Sequence, residues 1–200
     1  MPSDSNAVIV GIAVRINSPQ LTSSEILFVK LEDGSSDDLL QGQILPNTHF
    51  RLGYAFLPNA QPGRYAAIGC RNYTSNQYGS IHSTILFNRA LVTKLTRTIA
   101  PGTVTLLGNI VVRETIGRQE ADFDDVQQHY FRELTGKDIR TALEEKRFFG
   151  LQAVVWQGIL GSLKQEYPLE SASPKFLNIL KQGLPTAWKP WFDNSGGPEP

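Results

Sequence analysis

One cysteine and three histidines bound the nucleophilic and metal chemistry open to this 200-residue chain. Cys70 follows one apolar strand and His82 lies in a later one, so a thiol–imidazole pair is the one nucleophile–base arrangement to weigh. A cysteine set in an apolar strand is ordinarily a buried, inert thiol. No G-x-S-x-G elbow, phosphate-cradling glycine loop or dinucleotide fingerprint accompanies the pair. The expectation is a protein without catalytic residues, with a Cys70/His82 hydrolase kept as the reading to test. His49, His82 and His129 are scattered, with no two at ligand spacing on one element, so no metal is expected. Asp33-Gly34-Ser35-Ser36-Asp37-Asp38 lacks the glycine and the closing bidentate glutamate of a calcium loop and reads as a flexible acidic turn. No cofactor is expected either, and a lone cysteine excludes a disulfide within the chain.

Binding chemistry is better represented. Between Asp38 and Glu114 the chain has no acidic residue, while Arg51, Arg64, Arg71, Arg89, Lys94, Arg97 and Arg113 supply seven positive charges. With zero net charge overall, the remainder carries the matching seven negative charges. One reading is a basic face that attracts an anionic partner: lipid headgroups, a polyanionic glycan or an acidic protein. The other is neutralisation within the molecule, with Asp122–Asp125 and Glu144-Glu145 as the acidic side. The even balance excludes a globally basic nucleic-acid binder.

Arg71-Asn72-Tyr73-Thr74-Ser75-Asn76-Gln77-Tyr78-Gly79-Ser80 reads as a loop whose tyrosines and amides suit adaptable contacts, or as a solvated hairpin. Asn72-Tyr73-Thr74 also matches a glycosylation acceptor, a short motif common by chance. Trp188-Lys189-Pro190-Trp191-Phe192 lies in a Pro- and Gly-rich tail that either docks on a partner or membrane interface or folds back on its own groove. The candidate binding residues are therefore Arg64, Arg71, Tyr73, Tyr78, Arg89, Trp188 and Trp191.

These residues need elements to hold them, and the chain changes character near residue 113. Before it, runs rich in Val, Ile, Thr, Phe and Tyr alternate with Gly, Pro, Asn and Ser clusters. Strands are expected over Ala7–Ile16, Ile26–Leu31, His49–Leu57, Arg64–Cys70, Ile81–Asn88, Leu91–Thr98 and Thr103–Arg113. After residue 120 the apolar period becomes helical. Phe123, Val126, Tyr130, Phe131 and Leu134 follow an acidic opening and stop at Gly136. A second helical stretch runs from Asp138 and continues, bent at Gly150, to Leu163. Ser173-Pro174 opens a third helix that ends at Gly183.

The fold class expected is mainly β with C-terminal α: a seven-stranded β-sandwich over 7–113 with a three-helix appendage over 120–183 packed on it. Residues 1–6 read as a polar tether and 184–200 as an extended tail. The apolar run Gly150 to Leu163 has 14 residues, against about 20 needed to span a bilayer.

Leu57-Pro58-Asn59-Ala60-Gln61-Pro62-Gly63-Arg64-Tyr65 leads into a strand, and Ala100-Pro101-Gly102-Thr103-Val104-Thr105-Leu106-Leu107-Gly108-Asn109-Ile110 follows about 35 residues later. This pair resembles the P-G-x-Y and G-x-x-x-x-L-G-x-I strand signatures of prealbumin-like (transthyretin-like) β-sandwich domains in bacterial cell-envelope lipoproteins. The resemblance covers roughly residues 7–113, and the Asn59-Ala60-Gln61 insertion departs from it. It implies a seven-stranded sandwich, an envelope location and no catalysis, and carries over no functional residue. In physical terms Pro62-Gly63 makes the turn, Tyr65 enters the core, and Gly108 permits a bulge or a close backbone approach.

The function expected is a non-catalytic cell-envelope or periplasmic (lipo)protein with a binding or scaffolding role. Its partner is an anionic envelope component or a protein, and it meets the membrane only through an N-terminal lipid anchor that precedes this sequence once a leader is removed. The alternative is a cytoplasmic adaptor or assembly subunit.

Overall fold

The computed structural model describes residues 8–16, 25–32, 38–46, 49–76, 79–148, 155–171 and 173–183. Ten strands form one continuous sheet: β1 (Val8–Ile16), β2 (Glu25–Leu31), β3 (Gly42–Pro46), β4 (His49–Arg51), β5 (Tyr54–Ala60), β6 (Gly63–Asn76), β7 (Gly79–Phe87), β8 (Arg97–Ile99), β9 (Val104–Ile116) and β10 (Val155–Glu166). The α-helices among the described residues are α1 (Arg89–Lys94), α2 (Asp125–Thr135), α3 (Ile139–Phe148) and α4 (Ser173–Gly183). The protein is thus mainly β with a few helices.

The strand order is β3-β2-β6-β7-β10-β9-β1-β5-β4, with β8 added on β6, in a near-barrel. β3 and β4 stand at opposite ends of this order, yet only two residues separate them in the chain. Three Cα–Cα steps span at most about 11 Å, so the sheet must curl until its ends nearly meet.

β10 joins the two halves of the order. Val155–Gly161 pairs in parallel with Ile81–Phe87 of β7, whereas Ile159–Glu166 pairs antiparallel with Ile116–Ile110 of β9. Only Ile159, Leu160 and Gly161 lie on both ladders, so the strand passes from one half to the other along its length.

The larger core draws on both halves: Val8, Val10, Ile12 and Val14 of β1, Ile26 to Val29 of β2, and Ile85, Leu107, Ile110, Val112 and Ile159. It also takes in Val126, Tyr130 and Phe131 of α2 and Ile139 and Ala142 of α3, so residues beyond 120 share one core with the N-terminal strands. A smaller core lies on the other face of β1, where Phe176, Ile179 and Leu180 of α4 cover Ile9, Ala13, Tyr54, Phe56 and Leu106.

Several elements match the sequence reading. α2 is capped by Asp124, whose carboxylate accepts from the Gln127 N–H at 3.0 Å, and stops at Gly136 with φ 69°. Here the left-handed backbone suits glycine. α4 runs from Ser173 to Gly183. At Gly108 the β1–β9 register slips, Gly11 facing Leu106 but Ala13 facing Asn109. A Cβ on Gly108 would stand 2.4 Å from Leu95 Cδ2, so bulge and close approach coincide there.

Other expectations are corrected, each for a local reason. His49–Leu57 is not one strand but a hairpin, β4 and β5 joined by Leu52 (φ 53°) and Gly53 (φ 82°). Two positive φ values define the turn type that matches strand twist. Leu52 is a poor residue there and is 68% exposed. Leu52→Asn is therefore expected to stabilise the protein by about 1 kcal/mol, read as a rise in the denaturation midpoint.

Leu91–Thr98 is likewise not a strand. Asn88 Oδ1 accepts from the Leu91 N–H at 3.0 Å, which opens α1, and only Arg97–Ile99 pairs with β6. Of the two readings of Arg71–Ser80, the hairpin rather than the open loop fits, because β6 and β7 stay paired to Asn76↔Gly79. β3 had no sequence expectation at all.

The largest correction is the expected helix through Gly150–Leu163, of which Val155 onward is strand β10. Two glycines cost a helix about 1 kcal/mol each, and a continuous apolar run suits a strand covered on both faces. Among the described residues ten strands thus stand where seven were expected. The helices beyond residue 120 are interrupted by a central strand rather than forming a separate appendage.

Candidate functional site

β6 carries three of the candidate residues along one strand. Arg64 sits near its start, in register with Leu31 and Thr98, and is half-buried. Arg71 lies seven residues on, about 23 Å for an extended chain, opposite Glu25 and Thr84. Its Nη1 is 3.5 Å from Glu25 Oε2, with both side chains 29% exposed. Tyr73 is in register with His82. Tyr78, Trp188 and Trp191 lie outside the described residues, as do the N-terminal tether, the tail and most of the acidic turn over 33–38.

Arg89 is held elsewhere, at the first residue of α1. Its Nε donates to Asp125 Oδ1 at 2.9 Å, its Nη2 reaches Asp125 Oδ2, and its backbone N–H donates to Asp124 Oδ2 at 2.6 Å. The forked pair holds the Asp125 carboxyl below the usual carboxylate range and raises Arg89. Lys94 at the other end of α1 is 2.7 Å from Glu166 of β10. Arg97 donates to the Lys94 and Thr96 carbonyls at 2.9 and 2.8 Å. The basic segment is therefore largely engaged inside the molecule, and Asp122–Asp125 does supply one of its partners.

This pairing has a pH consequence. A depressed carboxylate contributes stability that is present above its unfolded pKa and is lost as pH falls through the folded value. Asp125→Asn should cost up to about 1 kcal/mol at pH 7, since the pair is exposed. The variant and the parent should converge below about pH 4, as chemical denaturation at several pH values would show.

Cys70 is 1% exposed, and burial, helped by the nearby Glu114 carboxylate, pushes its thiol far above the ordinary range. A protonated thiol is a poor nucleophile. Cys70 faces Ile85 across the ladder while His82 faces Tyr73, three residues further along. Two buried oxygens nearby, Thr84 Oγ1 and Glu114 Oε2, have no hydrogen-bond partner among the described residues. Among the described residues no three His, Cys, Asp or Glu side chains are grouped to hold a metal ion. No helix among them is long and apolar enough to cross a membrane.

A second group of polar residues, not among those singled out from the sequence, lies on the β1–β9–β10 surface beyond α4. Arg15 is the last outward-facing residue of β1, after Ile9, Gly11 and Ala13 on the same face. It is in register with Val111 of β9, and Arg113 lies two residues further along that strand, in register with Ser162. Gln165 completes the row opposite Val111. The Arg15 guanidinium carbon is 5.7 Å from the centroid of the Tyr167 ring. Arg15 and Arg113 are both exposed and neither forms an ion pair with a described residue. The sequence signal was an arginine interrupting an apolar strand, but alternation alone did not say which face of β1 reaches water.

No family model matches the chain, and no curated protein or solved structure matches it either.

Proposed function

We propose that this chain is a non-catalytic protein of the bacterial cell envelope, with a binding or scaffolding role and a prealbumin-like β-sandwich as its body. The observation that carries the reading is the set of positions occupied by its signature residues. Gly63 turns the chain at φ 146°, Tyr65 is buried with its hydroxyl donating to the Gln61 carbonyl at 2.7 Å, and Gly108 lies at a register slip. In this reading β3-β2-β6-β7 and β9-β1-β5-β4 are the two layers, and β10 closes one side between them.

The inert setting of Cys70 weighs against the thiol hydrolase. Its thiol is expected not to react with a disulfide reagent in the native protein and to titrate fully after denaturation. Rapid native labelling would revive that hydrolase.

The envelope location is tested by intact mass of the endogenous protein from membrane and soluble fractions. An acylated N-terminal cysteine preceding this sequence supports the proposal. An unmodified chain confined to the cytosol overturns it in favour of an adaptor or assembly subunit.

A further inference from the structure

We infer that the outer face of β1, β9 and β10 is a binding surface for an acidic polysaccharide, with Arg15 and Arg113 as its paired anion contacts. The inference rests on the reading of this chain as a binding protein and specifies the surface and the partner's chemistry.

The two arginines stand on adjacent parallel strands, one strand over and two residues along, which separates their Cα atoms by about 8 Å. Tyr167 supports the Arg15 guanidinium from beneath, so part of its freedom is already lost before a ligand arrives. Between and beside them lie Val111, Ser162 and Gln165, half-buried or exposed, which make a low floor with a hydroxyl and an amide beside two forked donors. Carboxylate or sulfate groups spaced along a sugar chain meet the guanidinium groups, and sugar hydroxyls meet Ser162 and Gln165.

The same geometry disfavours the competing partners. β1 is paired on both sides through Ala13 and β9 over Ile110–Val112, and beyond them, toward the C-terminal ends, only Arg15–Ile16 of β1 and Arg113–Ile116 of β9 have one unpaired side, stretches shorter than the strand a docking peptide adds. Among the described residues, the large exposed apolar side chains of this region, Leu163 and Ile116, fall by alternation on the opposite face, the one that Val112 and Glu114 share. Among the described residues the patch therefore has the charge to meet a membrane without an apolar wedge to enter one. Glu166, the acidic neighbour in β10, is committed to Lys94 at 2.7 Å.

Isothermal titration of the full chain with polygalacturonate, heparin, neutral dextran and vesicles of anionic phospholipid tests the inference. Binding to polygalacturonate or heparin, weakened by added salt and absent with dextran, is expected. Arg15→Ala combined with Arg113→Ala should weaken it by at least about tenfold, whereas Arg97→Ala, which removes one positive charge from a different surface, should change it less than about twofold. Both sets of positions are exposed, and unchanged melting temperatures verify folding. No binding to either polymer, an equal loss in Arg97→Ala, or binding confined to vesicles overturns the inference. A cytosolic chain that still binds the polymers overturns the envelope location alone; an envelope chain that ignores them overturns this surface alone.

Discussion

A chain ending at Phe148 is expected to be insoluble, or to lack a cooperative unfolding transition, although it keeps nine of the ten strands. The reason lies in what β10 touches. It supplies the neighbour of β7 over seven residues and the neighbour of β9 over a further seven rungs. Without it both strands become open edges with unpaired N–H and C=O groups, and Ile85, Phe87 and Val112 lose the cover of Ile159 and its neighbours. Such edges pair with other chains. Expression, size-exclusion chromatography and denaturant unfolding of the truncated protein give the answer. A soluble monomer with a sharp transition would show that the N-terminal strands form a self-sufficient sandwich, as composition alone suggested.

The second large effect is expected at Gly69. The register of β2 against β6 slips here, Leu27 facing Gly69 and Phe28 facing Ala67, so Ile68 is an extra residue in β6. The kink brings β6 close to β7. A Cβ on Gly69 would lie 2.3 Å from the Ile85 carbonyl oxygen, a backbone atom that cannot swing away as a side-chain tip could. Gly69→Ala must therefore push two central strands apart, at a cost of about 3 kcal/mol. For a chain of this size that corresponds to a fall in melting temperature of about 6–12 °C. Gly136→Ala is the control. Its φ of 69° strains any side chain, but no atom lies within 4 Å, so a loss of about 1 kcal/mol is expected. Comparable losses in the two variants would mean that backbone preference, and not the close approach to Ile85, decides Gly69.

These two positions also show what the sequence could and could not convey. Signals carried by neighbouring residues were readable: the Asp124 and Gly136 ends of α2, the Ser173 start of α4, and the slip at Gly108. β10 was not, because Leu151, Val154, Val155, Ile159 and Leu163 fit a helical period as well as a buried strand. What decides between them is the space between β7 and β9, which no local pattern contains. α1 was missed for a smaller reason: one hydrogen bond from Leu91 to Asn88 turns an apolar run from strand to helix.

The candidate site fared similarly. The charge asymmetry of residues 39–113 was visible, but its resolution was not, since the forked pair of Arg89 with Asp125 joins residues 36 apart. Arg15 passed unnoticed because its role depends on two neighbouring strands and on Tyr167, all fixed by tertiary register.

The short step from β3 to β4 has a consequence for how this molecule could exchange parts with a copy of itself. Swapped dimers form when a connecting segment straightens and carries an element across to a partner. A two-residue link between the first and last strands of the curl is too short to reach another molecule and return, so that clasp holds each barrel to its own chain. The longest connection between successive strands, from Ile116 to Val155, leads into β10 instead. If two copies ever trade a segment, the traded piece is the final strand together with α4, and both copies stay clasped while they do so.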